Sequence, residues 1–336
     1  MTGALLRSAL AFGLGLILSL YCTPLMRKAA IRFGIVDRPD GRLKNQKEPI
    51  AYLGGIAIYL SFLLALTATL RFDSTDILGL LLAGAIVVIL GLVDDFGVLS
   101  PGAKLAGQVV AVLTLMNSSI FIKLGFLPVG VAIALSFLWL LAITNAFNII
   151  DVMDGLAAGV AAAAAAILFV ISIFDGRGTD AVLLAALCGS LAGFLRSNFE
   201  PARIYMGDAG SLFIGLMLGA LAMNGSYTRR NVVASLAPVV ILGVPVFDML
   251  FVMYVRHRRG LPVMLGSPDH FALRLRKWRL STRQTVLMSW GVTFGLGLLA
   301  IGMMLSSAGW AASILGGIVL SSIAVGVLLR RIDMSL

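Results

Sequence analysis

"ILGLLLAGAIVVILGLVDDFG", residues 77–97, is an unbroken apolar run as far as Val93, closed by two adjacent carboxylates, Asp94 and Asp95. About 20 apolar residues are needed to carry a helix across a bilayer, so the stretch reads as a spanning helix with polar chemistry at its end. Two neighbouring carboxylates repel each other. They need a cation, a proton or open water to coexist.

The rest of the chain extends this reading. Of 336 residues, 60% are hydrophobic and 12% are charged, against about a quarter charged in soluble domains. The chain reads as an all-α integral membrane protein, a single polytopic domain over residues 1–336. About eleven runs have spanning length: 4–22, 51–70, 77–93, 104–122, 128–146, 157–174, 181–197, 210–225, 233–255, 284–305 and 309–329. The first reads as a retained span, because bulky Leu20 and Tyr21 stand where signal processing needs small side chains. Cys22 and Cys188 lie in or beside apolar runs and read as small buried hydrophobes, with no disulfide implied.

Orientation follows from lysine and arginine. With eleven spans the two termini face opposite sides. Only Arg7, Arg71, Lys123, Arg177, Arg229 and Arg230 of the 26 basic residues fall on one side. The other side is therefore cytoplasmic, the N-terminus is outside and the C-terminus is inside. The net charge of +10 is mostly this topology signal, with attraction to anionic headgroups as a second effect. It does not call for nucleic acid. Of the 16 acids, only Asp73, Asp76, Asp175 and Asp180 are external, and they read as ordinary solvated turns. The remaining acids, Asp40, Glu48 and Asp248 among them, share the basic side.

Three motifs on that side carry the chemistry. In "NAFNIIDVMDGL" (145–156), Asn145, Asn148, Asp151 and Asp154 recur every third residue, which on a helix draws one slowly drifting polar stripe. Carboxylates at membrane depth line polar cavities. In "YMGDAGSLFIG" (205–215), Gly207 permits a tight turn and close ligand approach. The N–H groups of the following helix can face an anion, and Asp208 can face a metal. In "DDFGVLSPGAKLAGQ" (94–108), Lys104 and Gln108 lie one helical turn apart, with Lys104 placed for a phosphate. Each motif has an ordinary alternative: a frayed helix end, an Asp-Gly cap, a lysine snorkelling at the membrane edge. Their convergence on one face favours a metal-bound phosphate substrate. The long basic loop 256–283 adds "SPDHF", where Asp269 can hold the imidazole of His270. With so few cysteines and histidines zinc is a poor fit, whereas hard oxygen donors suit Mg²⁺ or Mn²⁺.

From "PIAYLGGIAI" (49–58) through "VDDFG", "NAFNIIDVMDGLAAG" and "MGDAGSLFIG" to the basic loop, nearly the whole chain resembles the polyprenyl-phosphate N-acetylhexosamine-1-phosphate transferases. This family includes bacterial enzymes that begin cell-envelope glycans such as teichoic-acid linkage units, enterobacterial common antigen and O-antigen lipopolysaccharide. The resemblance implies an inner-membrane enzyme with its active site on the cytoplasmic face. It would move N-acetylhexosamine-1-phosphate, GlcNAc-1-phosphate first, from a UDP-sugar to undecaprenyl phosphate and release UMP. It implies Mg²⁺ or Mn²⁺ as cofactor, Asp94 and Asp95 as the catalytic acid pair, and Asp208 with Asn148 as metal ligands. It also implies substrate contacts from Lys104, Asn145, Asp151, Asp154, Gly207 and His270. A homodimer is compatible with it. Relatives typically carry His-x-His-His in the inner loop; here "SPDHFALRL" offers only His270. That histidine is expected to touch substrate and not metal.

The chemistry favours direct displacement. A phosphate monoester has its second pKa near 6, so the lipid nucleophile is largely dianionic already. The rival route passes through a phospho-aspartate on Asp94 or Asp95. A secondary transporter is the other functional class, since those also combine glycine-broken helices with intramembrane acids. Their sites lie near the midplane, whereas these acids crowd one surface.

Overall fold

The computed structural model describes residues 2–37, 49–262 and 267–334, so Asp40 and Glu48 lie outside the described residues. Thirteen α-helices form the described fold: α1 (Thr2–Phe33), α2 (Gly54–Thr67), α3 (Thr75–Asp95), α4 (Pro101–Asn117), α5 (Val129–Ile150), α6 (Leu156–Phe174), α7 (Gly178–Asn198), α8 (Gly207–Met223), α9 (Ala237–Ile241), α10 (Gly243–Arg258), α11 (Phe271–Lys277), α12 (Thr282–Leu305) and α13 (Ala308–Arg330). A two-residue antiparallel ladder joins β1 (Val36–Asp37) to β2 (Ile50–Ala51).

Among the described residues, seven helices (α1, α3, α5, α6, α7, α12 and α13) and the stretch Gly207–Arg229, which is α8 with the turn that follows it, are long and apolar enough to cross a membrane, and α9 with α10 makes a ninth if that bent pair is one span. The sequence reads eleven spans; α2 and α4 are the two that fall short. They have 14 and 17 residues, and at 1.5 Å per residue α2 covers only about 21 Å of a hydrocarbon layer about 30 Å thick. At the other extreme, α1 has 32 residues and runs well past the apolar stretch 4–22.

The expected single span 233–255 is broken. A 3₁₀ turn (Val233–Leu236) leads into α9, and α9 meets α10 at a 79° bend. Pro245, in the first turn of α10, has no N–H to offer the carbonyl of Ile241, so the helical ladder cannot run through this point.

At the centre stands α8, buried along most of its length and packed against α2, α3 and α5. Close approach to α3 depends on Gly91, where a Cβ would lie 2.3 Å from the Ala209 nitrogen. On the other flank, α1 packs on α7 and α2, and α6 links α7 to α12. Peripheral α13 is largely exposed, with Ala311 and Leu329 its buried residues. Its exposed Trp310, Leu320 and Leu328 face the surroundings, as lipid-facing side chains do.

Helix starts follow local chemistry. Ser100 caps α4 by accepting the Ala103 N–H at 3.3 Å, with Pro101 in the first turn, where a missing N–H costs nothing. Ser281 and Gln284 form a reciprocal capping box on α12, satisfying two orphan donors.

The segment after β2 runs beside the residues that precede α8. Tyr205 N–H donates to Ala51 O at 2.8 Å, Gly54 N–H to Tyr205 O at 3.0 Å, and Gly55 N–H to Met206 O at 2.8 Å. This extended pairing holds the start of α8 against α2. It brings that start to the same end of the bundle as the C-termini of α3 and α5 and the N-terminus of α4.

At the opposite end, Asp73 and Asp76 are exposed, as expected of turn residues. Asp175 and Asp180 are not the solvated acids expected. Asp175 accepts Ser226 N–H at 2.9 Å and lies 3.5 Å from Arg177 and 3.4 Å from Arg229. Asp180 bonds Arg177 at 2.5 Å. Half-buried carboxylates need such partners, because desolvation without one is costly.

Candidate active site

The adjacent carboxylates of the "VDDFG" run point to different partners. Asp95 turns toward the start of α8: its Oδ1 accepts the Asp208 N–H at 2.7 Å and its Oδ2 the Ala209 N–H at 3.4 Å. It therefore satisfies two donors of the first helical turn and places negative charge at the positive end of the helix dipole. The expected anion site at the α8 N-terminus is thus filled by the protein's own carboxylate. Gly207 is what permits this. Its φ is +69°, and a Cβ there would lie 2.5 Å from Asp95 Oδ2. The close approach read from the sequence is made by Asp95.

Asp94 turns toward Lys104, with Oδ2 at 2.9 Å from Nζ. The same ammonium donates to Asn148 Oδ1 at 3.0 Å and to Asp208 Oδ2. Asn148 Nδ2 in turn donates to Asp208 Oδ1 at 2.7 Å and to Ser211 Oγ at 3.0 Å. Three oxygens from α3, α5 and α8 thus converge on one nitrogen from the first turn of α4.

The stripe of "NAFNIIDVMDGL" is helical only in its first half. α5 stops at Ile150; Asp151 has left helical geometry (φ −78°, ψ 59°), and Gly155 has φ +77°. Asn148 joins the Lys104 cluster, but Asn145 does not. Its amide exchanges hydrogen bonds with buried Gln108 at 2.7 and 3.3 Å and donates to Leu141 O at 2.8 Å. This amide pair fixes α4 against α5, and so fixes the helix that carries Lys104.

Asp154 accepts the Ala202 N–H at 2.9 Å. Burial raises its carboxyl above the ordinary range, while that N–H opposes the rise. Asp151 lies just beyond the end of α5. Burial, reinforced by the charges of Asp208, Asp95 and Asp154, pushes its carboxyl up to about 8. Desolvation and like charge both favour the neutral acid.

His270 is nearly buried, and its Nδ1 lies 2.7 Å from Asp248 Oδ2. The other Asp248 oxygen accepts the Phe271 N–H at 2.8 Å. Asp269, the expected partner of the imidazole, is engaged elsewhere, by Arg274 at 2.5 Å and Arg259 at 3.0 Å. Arg274 also donates to Leu329 O at 3.0 Å and Ile332 O at 2.8 Å, which ties this turn to the end of α13. From the sequence alone Asp248 is given no role of its own. Its signal was an isolated acid inside an apolar run.

The site end of the bundle also carries an aromatic pair. The rings of Tyr52 and Tyr205 lie 5.9 Å apart. Tyr52 hydrogen-bonds Asp37, and burial raises both phenols, with nearby carboxylates adding to the effect. Each tyrosine lies within one of the paired segments that lead into α2 and α8.

Among the described residues, no group of three or more His, Cys, Asp or Glu converges as a metal site. The donor set around Lys104 nevertheless fits a hard divalent ion in kind: two carboxylate oxygens and one amide oxygen, already gathered about a cation. Asp94, Asp208 and Asn148 are the residues able to hold one.

Known proteins resemble this chain over most of its length. The family model described as glycosyl transferase family 4 matches residues 77–226, from the start of α3 to just past α8. A Bacillus subtilis (strain 168) protein named "Probable undecaprenyl-phosphate N-acetylglucosaminyl 1-phosphate transferase" is 32% identical over 305 residues, covering 88% of this chain and 85% of its own length. A Mycolicibacterium smegmatis decaprenyl-phosphate N-acetylglucosaminephosphotransferase is 31% identical over 94% of this chain and 87% of its own length. The undecaprenyl-phosphate alpha-N-acetylglucosaminyl 1-phosphate transferase of Escherichia coli (strain K12) is 26% identical over 82% and 77%. With relatives of this identity aligned over most of both lengths, and with the matched region carrying Asp94, Asp95, Lys104, Asn148 and Asp208 on facing helix ends, the chain belongs to glycosyl transferase family 4, among the polyprenyl-phosphate N-acetylglucosaminyl-1-phosphate transferases.

Proposed function

We propose that the protein transfers N-acetylhexosamine-1-phosphate, GlcNAc-1-phosphate first, from its UDP-sugar to undecaprenyl or a similar polyprenyl phosphate. The products are polyprenyl-diphospho-sugar and UMP, and the reaction opens a cell-envelope glycan pathway. The observation that carries this reading is the Lys104 cluster: an ammonium and three hard oxygens at the rim of an apolar bundle. A lipid chain reaches such a place from the bilayer and a nucleotide from water. The substrate names of the aligned relatives support the same chemistry.

In this reading the lipid phosphate dianion attacks the β-phosphorus of the UDP-sugar. A new P–O bond forms as the bond from β-phosphorus to the bridging oxygen breaks, and UMP departs. The nucleophile is ionised already, so the obstacle is repulsion between anions. Lys104, in the first turn of α4, supplies positive charge at the phosphates. Asp95 acts one step back, fixing the start of α8 and with it Asp208. Asp94, Asp208 and Asn148 would hold Mg²⁺ or Mn²⁺, which would further neutralise diphosphate and leaving-group charge. Asp151, beside these acids, serves the donor pocket in its neutral form as a hydrogen-bond donor. Tyr52 and Tyr205 offer aromatic faces suited to a planar base.

The site faces the cytoplasm of the bacterial inner membrane, since lysine and arginine concentrate at that end. Single cysteines in a cysteine-free background test this: Trp278→Cys is protected from an impermeant thiol reagent in intact cells, and Asp73→Cys is labelled. The activity itself is tested with purified protein, radiolabelled UDP-GlcNAc or UDP-GalNAc, and undecaprenyl phosphate. Formation of labelled lipid and UMP is expected. A protein that binds no UDP-sugar and makes no lipid-linked product with either donor would overturn the reading.

A further inference from the structure

Lys104 stands where the proposed function needs a divalent cation. Its Nζ is bonded by Asp94 Oδ2 at 2.9 Å, by Asn148 Oδ1 at 3.0 Å and by Asp208 Oδ2. The ammonium is the centre of this cradle, and its side chain is 18% exposed. A hard divalent ion seeks the same class of donor at about 2.1 Å. Two cations cannot share that point. A unit charge and a divalent charge a few ångströms apart repel strongly, and more so at the rim of a low-dielectric bundle.

We propose that Lys104 and a divalent cation compete for one oxygen cradle, so that binding of the metal expels the ammonium and frees it for the phosphates of the donor. This inference rests on the metal requirement in the proposed function and adds an order of events to it. Without metal, Lys104 neutralises one of the two carboxylates it bridges and holds α3, α4, α5 and α8 together. With metal, both carboxylates are neutralised by the ion. The lysine, on a flexible four-carbon stem, swings from the acids to the substrate. The positive charge that had braced the empty cradle then becomes part of the phosphate-binding surface.

The neighbouring contacts are compatible with such an exchange. Asn148 keeps Asp208 oriented through its Nδ2, a bond that does not involve Lys104. Asp95 keeps the α8 N-terminus fixed independently. The Asn145–Gln108 pair holds the backbone of α4 in register with α5. Only the lysine side chain has to move.

The test is Mn²⁺ binding to purified, substrate-free protein, read by the electron paramagnetic resonance of free Mn²⁺. Lys104→Met removes the competitor and should tighten Mn²⁺ binding by about ten- to a hundredfold, which corresponds to about 1.4–2.8 kcal/mol. Lys104→Arg keeps the charge and should bind within about threefold of wild type. In the wild-type protein, saturating Mg²⁺ should raise the rate of reductive methylation at Lys104 at least about fivefold, read by mass spectrometry, with exposed Lys28 unchanged as control. The methylation readout stands even if Lys104→Met does not fold. Equal Mn²⁺ affinity in wild type and Lys104→Met, or a Lys104 reactivity indifferent to Mg²⁺, overturns the competition and leaves the metal requirement intact. Absence of divalent binding in every variant overturns both.

Discussion

The carboxylate of Asp95 accepts the backbone N–H of Asp208 at 2.7 Å, although the two residues are 113 positions apart. Its sequence neighbour Asp94 faces away, toward Lys104. Adjacent residues at the end of a helix leave it about 100° apart, so each carboxylate reaches a different wall of the same cleft. The repulsion expected of the pair is relieved by two N–H groups on one side and an ammonium on the other.

Substitutions should separate these roles. Asp94→Asn removes a charge from the Lys104 cluster without unseating a helix. It should lower turnover by about a hundredfold or more, with little change in thermal midpoint. Asp95→Ala leaves two N–H groups of α8 without their acceptor and should cost about 1–2 kcal/mol of stability as well as activity. Paired measurements of turnover and thermal unfolding in detergent distinguish them. Equal destabilisation by both would contradict the geometry.

A single-displacement route makes a further demand on the same pair. With the lipid rigorously removed, labelled UMP should not exchange into UDP-sugar, because no sugar-phosphate is left on the enzyme. Rapid lipid-free exchange, lost in Asp94→Asn, would instead establish a phospho-aspartate.

Gly207 should be intolerant of any side chain. A Cβ would meet Asp95 Oδ2 at 2.5 Å and would also have to adopt φ +69°. Gly207→Ala is expected to destabilise the fold by about 1–3 kcal/mol. Gly97, which also has positive φ but has open space around its Cβ direction, should lose less on the same change. Thermal unfolding of the two variants side by side provides the comparison.

Asp151 should leave a mark on stability against pH. An aspartate in the unfolded chain ionises near pH 4, whereas in the fold Asp151 ionises near 8. Between those values the unfolded chain has released a proton that the folded chain retains, so stability falls as pH rises through that window and levels off above it. Below pH 4 both states are protonated and the residue contributes no slope. Asp151→Asn should remove the decline, gaining on wild type by a few kcal/mol between pH 5 and pH 8. Chemical unfolding in detergent with chelator, at both pH values, checks the sign.

The apolar runs and the acids at their ends were legible in the sequence, because a bilayer demands long uncharged segments and charges each position heavily for a carboxylate. Asp94, Lys104, Asn148 and Asp208 were legible for the same reason: each is a polar residue at the rim of an apolar run. Other features came only from the tertiary structure. The break between α9 and α10, the short α2, and the end of α5 at Ile150 depend on how chain segments replace one another's hydrogen bonds. The partner of His270 is Asp248, 22 positions away, and not the adjacent Asp269. The carboxylate at the α8 N-terminus comes from α3. Sequence spacing sets which residues share a helix face, but hydrogen bonds between helices are set by packing. Asp95 caps α8 only because Gly91 and Gly207 let two backbones approach closely enough for that carboxylate to reach it.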